Sequence, residues 1–250
     1  MATRYEVIGI EGLDEIRPGD DLPRLIVESA GRQGTPPRDG DVLVVGHKII
    51  SKAEGRLLRL DTVTPSPAAV SMAAHLGRDA RLVEVILRES RRIVRMDRGI
   101  LITETHHGWV CANAGVDQSN VDADSVALLP EDPDRSARRL RDGVREHAGV
   151  EVAVIVADTF GRPWREGLTN IAVGVSGLAP LRSYLGDRDP AGHVLQATIL
   201  AVADEIAGAT ELVMGKLSRI PVALVRGLAF TPSEEGSKPL LRDPARDLFR

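Results

Sequence analysis

The sequence is poor in cysteine and in aromatic residues, and both shortages exclude classes of protein. Its 250 residues include one cysteine, Cys111, which cannot form an internal disulfide and supplies no cluster of metal-binding thiolates. A disulfide-stapled secreted domain and a cysteine-rich zinc site are therefore excluded, and the cytoplasm is the expected location. Aromatic side chains make up only 3% of the chain, so the core is expected to consist mainly of Val, Leu, Ile and Ala.

Long apolar runs are also absent. No stretch of the sequence approaches the ~18 consecutive apolar residues of a membrane-spanning helix. Residues 1–10 carry Glu6 and Gly9, where a signal peptide requires an uninterrupted apolar segment. We therefore expect a cytoplasmic protein with no membrane partner.

Positive charge is in slight deficit, and lysine is scarce. The chain has 32 basic and 36 acidic residues and a formal net charge of −4, which argues against a nucleic-acid binder that relies on a basic surface. That balance is compatible with small anionic ligands. Lysine occurs only at positions 48, 52, 216 and 238, so each of these lysines is worth locating.

What is present describes a globular chain with irregularly alternating strands and helices. Hydrophobic residues make up 43% of it, enough for one or two domains with a buried core. The pattern predicts strands at 5–10, 41–51, 150–157, 171–175 and 222–226, helices at 22–30, 79–94, 132–149 and 193–214, a hairpin at 99–113 and a tail at 231–250. This order indicates a mixed α/β or α+β fold.

Familiar nucleotide and hydrolase motifs are missing. The only Gly-Lys pair, at 215–216, is followed by Leu217 and lacks the earlier glycine of a phosphate-binding loop. Dinucleotide-binding, nucleophile-elbow and zinc-helix patterns are absent as well. The chemistry must therefore come from less common segments.

The segment 112–120 is the first such candidate. It follows an apolar run and brings Asp117, Ser119 and Asn120 together in a loop of small residues. Such a loop can present N–H groups and oxygen atoms to an ion or a phosphate. An Asx-type turn between two elements explains the same residues.

The segment 157–165 is the stronger candidate. Asp158 and Thr159 are expected at the end of a buried strand, where α/β folds place ligand-binding loops. Their oxygen atoms suit Mg²⁺ or Mn²⁺, and Arg162 and Arg165 could clamp a phosphate or a carboxylate. The alternative is a helix N-cap followed by two surface arginines.

A third segment, 46–56, places Lys48 and Lys52 on either side of Ser51, just after a buried strand. This arrangement suggests contact with an anion, although solvated lysines would explain it too. Each segment alone has an ordinary structural explanation, and only the three together make a convincing case for a ligand-binding site.

Together these segments resemble the coenzyme F420:L-glutamate ligase family. The resemblance rests on Lys-Ile-Ile-Ser-Lys-Ala-Glu-Gly-Arg, Ala-Gly-Val-Asp-Gln-Ser-Asn-Val, Asp-Thr-Phe-Gly-Arg-Pro-Trp-Arg-Glu-Gly and Leu-Val-Met-Gly-Lys, four separate motifs over roughly residues 5–247. The arginine-rich composition and the ending also resemble an actinobacterial type, in which this ligase is fused to a nitroreductase-like, flavin-binding domain. On that basis we expect a ligase domain at 1–247 and a tail, or linker to such a domain, at 248–250.

The resemblance implies a reaction and its partners. It implies GTP-dependent addition of L-glutamate to coenzyme F420-0 or its dehydro precursor, then of further γ-linked glutamates, with release of GDP and phosphate. An acyl phosphate is the expected intermediate, because a carboxylate is a poor acyl donor. Two divalent metals, Mg²⁺ or Mn²⁺, are implied as cofactors, and a need for K⁺ is left open.

The resemblance also assigns residues and an assembly. It implies that Asp117 and Asp158 bind one metal and Thr159 the second, and that GTP is contacted by Leu13, Asp14, Glu15, Ile16, Lys52 and Asn120. Position 47, often a small hydroxyl residue that contacts GTP in relatives, is His47 here. The clamp role of Arg162 and Arg165 is inferred from their chemistry alone. The implied fold is α+β with a mixed sheet, in an intertwined homodimer.

Two other functions compete with the ligase. One is a metal-dependent phosphohydrolase that uses the same Asp and Thr oxygens without an amine acceptor. The other is a nucleotide-binding domain that is active only with a C-terminal partner domain.

Overall fold

A mixed β-sheet forms the centre of the computed structural model, which describes residues 4–247. The strands of the protein are β1 (Glu6–Gly9), β2 (Val42–Gly46), β3 (Leu57–Arg59), β4 (Ser90–Asp97), β5 (Ile100–Thr105), β6 (Val110–Ala112), β7 (Ser125–Ala127), β8 (Ala153–Arg162), β9 (Arg165–Ser176), β10 (Arg182–Ser183), β11 (Ile199–Leu200) and β12 (Val222–Arg226). The central sheet has the order β1-β12-β2-β8-β9, in which β2 and β8 are parallel and the other neighbours antiparallel. The mixed sheet agrees with the expected fold class.

Six α-helices accompany the strands among the described residues. They are α1 (Leu22–Arg32), α2 (His47–Ala53), α3 (Pro67–Leu76), α4 (Ala80–Arg88), α5 (Pro133–Ala148) and α6 (Val202–Met214). The side chain of Asp132 accepts a hydrogen bond from Arg135 N at the start of α5, and Gly149 ends this helix at a φ of 70°. These caps confirm the helix predicted at 132–149. None of the helices in residues 4–247 has the length and apolar character that crossing a bilayer requires.

Alternation along β2 explains why the sheet is buried on both faces. Leu43 and Val45 pack into the core that includes residues of α1 and α5, while Val42 and Val44 pack into the core that includes residues of α6. Successive side chains of a strand point to opposite faces, so a strand between two helical layers must be apolar throughout. The continuous apolar run at 42–45 is the sequence signature of this position.

A third core lies in the segment between β2 and β8. It is built by apolar side chains of α3, α4 and the β3–β7 pair, with Ile86 and Val126 fully buried. The antiparallel strands β4, β5 and β6 form a separate sheet there, and β5 and β6 are the hairpin predicted at 99–113.

Five predicted elements are wrong in their extent, two of them because the strands predicted at 150–157 and 171–175 are the longer strands β8 and β9. The strand predicted at 41–51 ends at Gly46, and α2 begins at His47. The helix predicted at 79–94 ends at Arg88, because Ile93 and its neighbours pair with β5 as part of β4. The helix predicted at 193–214 begins only at Val202, where the spacing of Ala203, Ile206, Ala207 and Thr210 buries one helical face.

The predicted tail at 231–250 is packed onto the molecule over its described part. The N–H of Ser237 donates to Asp134 Oδ1 at 2.9 Å, Arg141 pairs with Glu234, and Leu240 and Leu241 contact the core. Residues 231–247 are therefore part of the fold. The tail predicted at 248–250 lies outside the described residues.

Candidate active site

A cavity of about 860 Å³ lies at the carboxyl end of β2. The parallel pairing of β2 with β8 ends at Gly46 and Ala157, and β8 continues beyond this point to Arg162. Asp158 and Thr159 therefore lie past the end of β2, with one edge of their strand uncovered. The sequence had placed these two residues at a strand end, but they are paired with β9 inside a longer strand.

Nine of the twelve predicted site residues line this cavity. They come from four parts of the chain: the segment after β1 (Leu13, Asp14, Glu15 and Ile16), α2 (His47 and Lys52), the loop before β7 (Asn120), and β8 (Asp158 and Thr159). The three that do not line it are Asp117, Arg162 and Arg165. The structure thus gathers residues that are far apart in the sequence around one space.

The scarce lysines are concentrated here. Lys48, Lys52 and Lys216 line the cavity, and Lys238 is the exception. Lys52 is buried and pairs with the exposed Glu15, while Lys216 Nζ donates to Thr159 Oγ1 at 3.0 Å. Arg219 lines the cavity as well, and these four cations lie beside five carboxylates, so both a phosphate and a divalent cation find opposite charge there.

Asp117 does not line the cavity itself but is held by Lys48, which does. Its Oδ2 is 2.7 Å from Lys48 Nζ, and its Oδ1 accepts the N–H of Ser119 at 2.7 Å. Burial raises the pKa of Asp117, but the hydrogen bonds from Lys48 and Ser119 outweigh burial and hold the pKa below its ordinary value. Asp117 and Ser119 therefore form an Asx turn, and the loop brings Asn120 to the cavity at a φ of 58°.

Asp158 lies near two buried side chains. Its Oδ1 is 3.2 Å from His47 Nε2 at the first position of α2. The second side chain is Cys111 of β6. Its burial, and to a smaller extent the negative charge of Asp158, raise the pKa of the Cys111 thiol to about 12. Cys111 is therefore a protonated, inert thiol at physiological pH.

Thr159 belongs to a hydrogen-bond chain that sequence reasoning did not find. Its hydroxyl donates to Asn170 Oδ1 at 2.8 Å, and Asn170 Nδ2 donates to Glu211 Oε2 at 2.9 Å. Asn170, Glu211 and Lys216 all line the cavity. The one available signal was the Gly-Lys pair at 215–216 in a lysine-poor chain, because Asn170 and Glu211 meet Thr159 only through tertiary packing.

Arg162 and Arg165 lie at the tip of the β8–β9 hairpin, outside the cavity. They are cross-strand partners on either side of a turn formed by Pro163 and Trp164, and both are exposed. Arg162 Nη2 donates to the carbonyl of Glu166 at 2.8 Å, and Trp164 is 79% exposed. Within one chain, Arg162 and Arg165 are therefore surface arginines, as the alternative to a clamp predicted. The other part of that alternative is wrong, because Asp158 lies in a strand and does not cap a helix.

The oxygen donors at the cavity fit a divalent metal that also binds phosphate. Across residues 4–247, no cluster of three or more His, Cys, Asp or Glu side chains is arranged to hold an ion by itself. Mg²⁺ commonly uses only one or two carboxylates and completes its shell with water and substrate phosphates. Asp158 and Thr159, open to a lysine-lined cavity, match that donor set.

Comparison with known proteins gives one family. Residues 11–227 match the family model described as F420-0:gamma-glutamyl ligase. A protein named coenzyme F420:L-glutamate ligase from Methanopyrus kandleri is 49% identical over 252 residues, covering 99% of this chain and 97% of that protein. Proteins of the same name from Methanothermobacter thermautotrophicus and Haloarcula marismortui are 44% and 42% identical, with 98% of this chain covered in each case.

Proposed function

The chain belongs to the F420-0:gamma-glutamyl ligase family, and from this membership we propose that it is a GTP-dependent ligase that joins L-glutamate to coenzyme F420-0. The observation that carries the proposal is the match over nearly the whole chain to proteins named for this ligation, together with the gathering of nine expected site residues around one cavity. We propose that addition of further γ-linked glutamates follows at the same site, in the cytoplasm.

The main physical obstacle to the reaction is charge. GTP and the carboxylate of F420-0 repel each other, and phosphoryl transfer between them concentrates negative charge. Lys52 and Lys216 project ammonium groups into the cavity and reduce this repulsion. Leu13 to Ile16 and Asn120 are the proposed further contacts with GTP.

The acyl phosphate is the proposed intermediate. The carboxylate of F420-0 attacks the γ-phosphate, GDP leaves, and the glutamate amine then displaces phosphate from the activated carbonyl. A divalent ion at this site would neutralise phosphate charge during transfer. Asp158 and Asp117 are the proposed ligands of one ion and Thr159 of the second, and Lys48 must release the Asp117 carboxylate before that oxygen can coordinate.

We also propose a homodimer, and it gives the hairpin tip a role. The tip exposes Trp164 and Leu168, at 79% and 65%, and neighbouring exposed apolar side chains of this kind are common at protein interfaces. Arg162 and Arg165 do not line the cavity of their own chain, so their proposed clamp role requires the tip of one chain to reach the cavity of another.

A direct assay tests the ligase activity. The purified chain is incubated with GTP, Mn²⁺, L-glutamate and either F420-0 or its dehydro precursor, and the coenzyme is followed by mass spectrometry. The expected result is a mass gain of one glutamyl unit that depends on GTP and is matched by release of GDP. GTP hydrolysis without the mass gain would instead support a phosphohydrolase, and binding without turnover would support a nucleotide-binding domain that needs a partner.

Lys52 offers a more local test of the nucleotide site. Replacing it with Met keeps the buried stem and removes the ammonium group, so the apparent KM for GTP should rise about tenfold with a smaller change in kcat. Lys238→Met is the matched control, because Lys238 is exposed and lies outside the cavity. An unchanged KM for GTP in the Lys52 variant would remove this residue from the GTP site.

A further inference from the structure

His47 is a buried imidazole without a hydrogen-bonding partner. Its side chain is only 3% exposed, and neither ring nitrogen has a hydrogen-bond partner within residues 4–247. Burying such a group is costly unless its polar atoms are used. The residue lines the cavity, so the use must be sought there.

The contact with Asp158 is close but is not aligned as a hydrogen bond. Nε2 lies 3.2 Å from Asp158 Oδ1, within ion-pair distance, yet no hydrogen bond joins this nitrogen to this oxygen. Two neighbouring ligands of one octahedral ion stand about 3.0 Å apart, with their electron pairs directed at the ion rather than at each other. His47 Nε2 and Asp158 Oδ1 have the separation expected of two such ligands, and no hydrogen bond joins them.

We propose that His47 Nε2 is a ligand of the divalent ion held by Asp158, so that this site has one nitrogen donor beside its oxygen donors. The inference rests on the proposed metal dependence of the ligase and adds to it a residue that the family resemblance places at GTP. Coordination would use Nε2, the ring nitrogen that faces Asp158.

A nitrogen donor changes which ion the site prefers. Mg²⁺ favours an all-oxygen shell, and Mn²⁺, although it too prefers oxygen, accepts an imidazole ligand more readily than Mg²⁺ does. His47 should therefore bias the site towards Mn²⁺. Removing the imidazole should weaken Mn²⁺ binding much more than Mg²⁺ binding.

The test is spectroscopic and needs no turnover. The protein is titrated with Mn²⁺ alone, and pulsed electron paramagnetic resonance is used to detect nitrogen coupled to the bound ion. The expected signal is one ¹⁴N coupling that becomes a ¹⁵N coupling when only the histidines are ¹⁵N-labelled. Bound Mn²⁺ without a histidine coupling, or an absence of Mn²⁺ binding, would overturn the proposal.

Variants assign the coupling to one histidine. His47→Gln should abolish it and raise the Kd for Mn²⁺ about tenfold or more, with the Kd for Mg²⁺, measured by competition, changed less than about threefold. His107→Gln is the matched control, because His107 is also buried at Nδ1 but lies outside this cavity. A coupling that survives in folded His47→Gln would refute the assignment. The labelled wild-type protein tests the proposal even if a variant does not fold. A protein that shows the histidine coupling but has no ligase activity would contradict the proposed function and leave the proposed metal ligand intact.

Discussion

The β8–β9 hairpin is paired along its length, but its inner and outer halves lie in opposite environments. In the inner half, residues 153–157 and 172–176 are buried between two helical layers, and Asp158 and Thr159 open into the cavity beside them. In the outer half, every residue from 161 to 168 is exposed. One motif, Asp-Thr-Phe-Gly-Arg-Pro-Trp-Arg, spans both halves.

The difference shows that adjacency in a motif does not mean a shared site. Asp158 is held beside His47 and Cys111 by a packed sheet, whereas Arg162 lies four residues further on in solvent. A strand rises about 3.3 Å per residue, so four residues carry a side chain roughly 13 Å away. The inner half is therefore suited to fix reacting groups, and the outer half to meet another molecule.

The largest expected effect comes from Asp158→Asn in the inner half. This change removes the anionic oxygen and keeps the side-chain volume, so ligation should fall by about 100-fold or more through loss of metal binding. Turnover is measured at saturating GTP over a range of Mn²⁺ concentrations. Asp142→Asn on the exposed surface of α5 is the control, and wild-type turnover of Asp158→Asn at matched metal would remove this residue from the site.

Next in size is a difference in stability between the halves. Val173→Ala should lower the free energy of unfolding by about 2 kcal/mol, because Val173 is fully packed in the inner half and the change leaves a cavity. Leu168→Ala in the outer half should change it by less than about 0.5 kcal/mol, since Leu168 is 65% exposed. Chemical denaturation of both variants measures this, and equal losses would show that the two halves are packed alike.

The smallest expected effect comes from the arginines of the tip. The double variant Arg162→Gln and Arg165→Gln should lower kcat about tenfold with folding unchanged, because clamps that stabilise transferred charge act mainly on turnover. Mixing it with the Asp158→Asn chain should restore part of the activity, since a mixed dimer would hold one intact site. Activity of the double variant within twofold of wild type would refute the clamp role, and a failure of mixing to restore activity would contradict the arrangement across two chains.

Local signals explain the part of the fold that could be predicted. The helix at 132–149 is marked by Asp132, Pro133 and Gly149, whose effects on the backbone do not depend on distant contacts. The strand at 222–226 is confirmed with the same bounds because four consecutive buried apolar residues define it. Hairpin β5–β6 was visible for a similar reason, from two apolar runs flanking a His-His-Gly turn.

The rest depended on partners that no local window contains. Helix α2 has only seven residues, too few for a helical period to be distinguished from a buried strand. The length of β8 depends on its pairing with β9, and a Gly and a Pro in the segment favoured a loop. Of the nine cavity residues, four were singled out from local chemistry and the other five were named only through the family resemblance. Asn170 and Glu211, which neither kind of reasoning named, were missed.

The parallel contact between β2 and β8 also determines when the cavity can form. At the start of this contact Glu151 donates its N–H to Asp39, 112 positions earlier in the chain. Closing so long a loop is entropically expensive, so pairing of this kind is slow compared with the local helices and hairpins that the loop contains. The segment between the two strands has a hydrophobic core of its own and can organise first. Nucleotide binding should therefore be among the last properties regained on refolding, after most of the helical signal has returned.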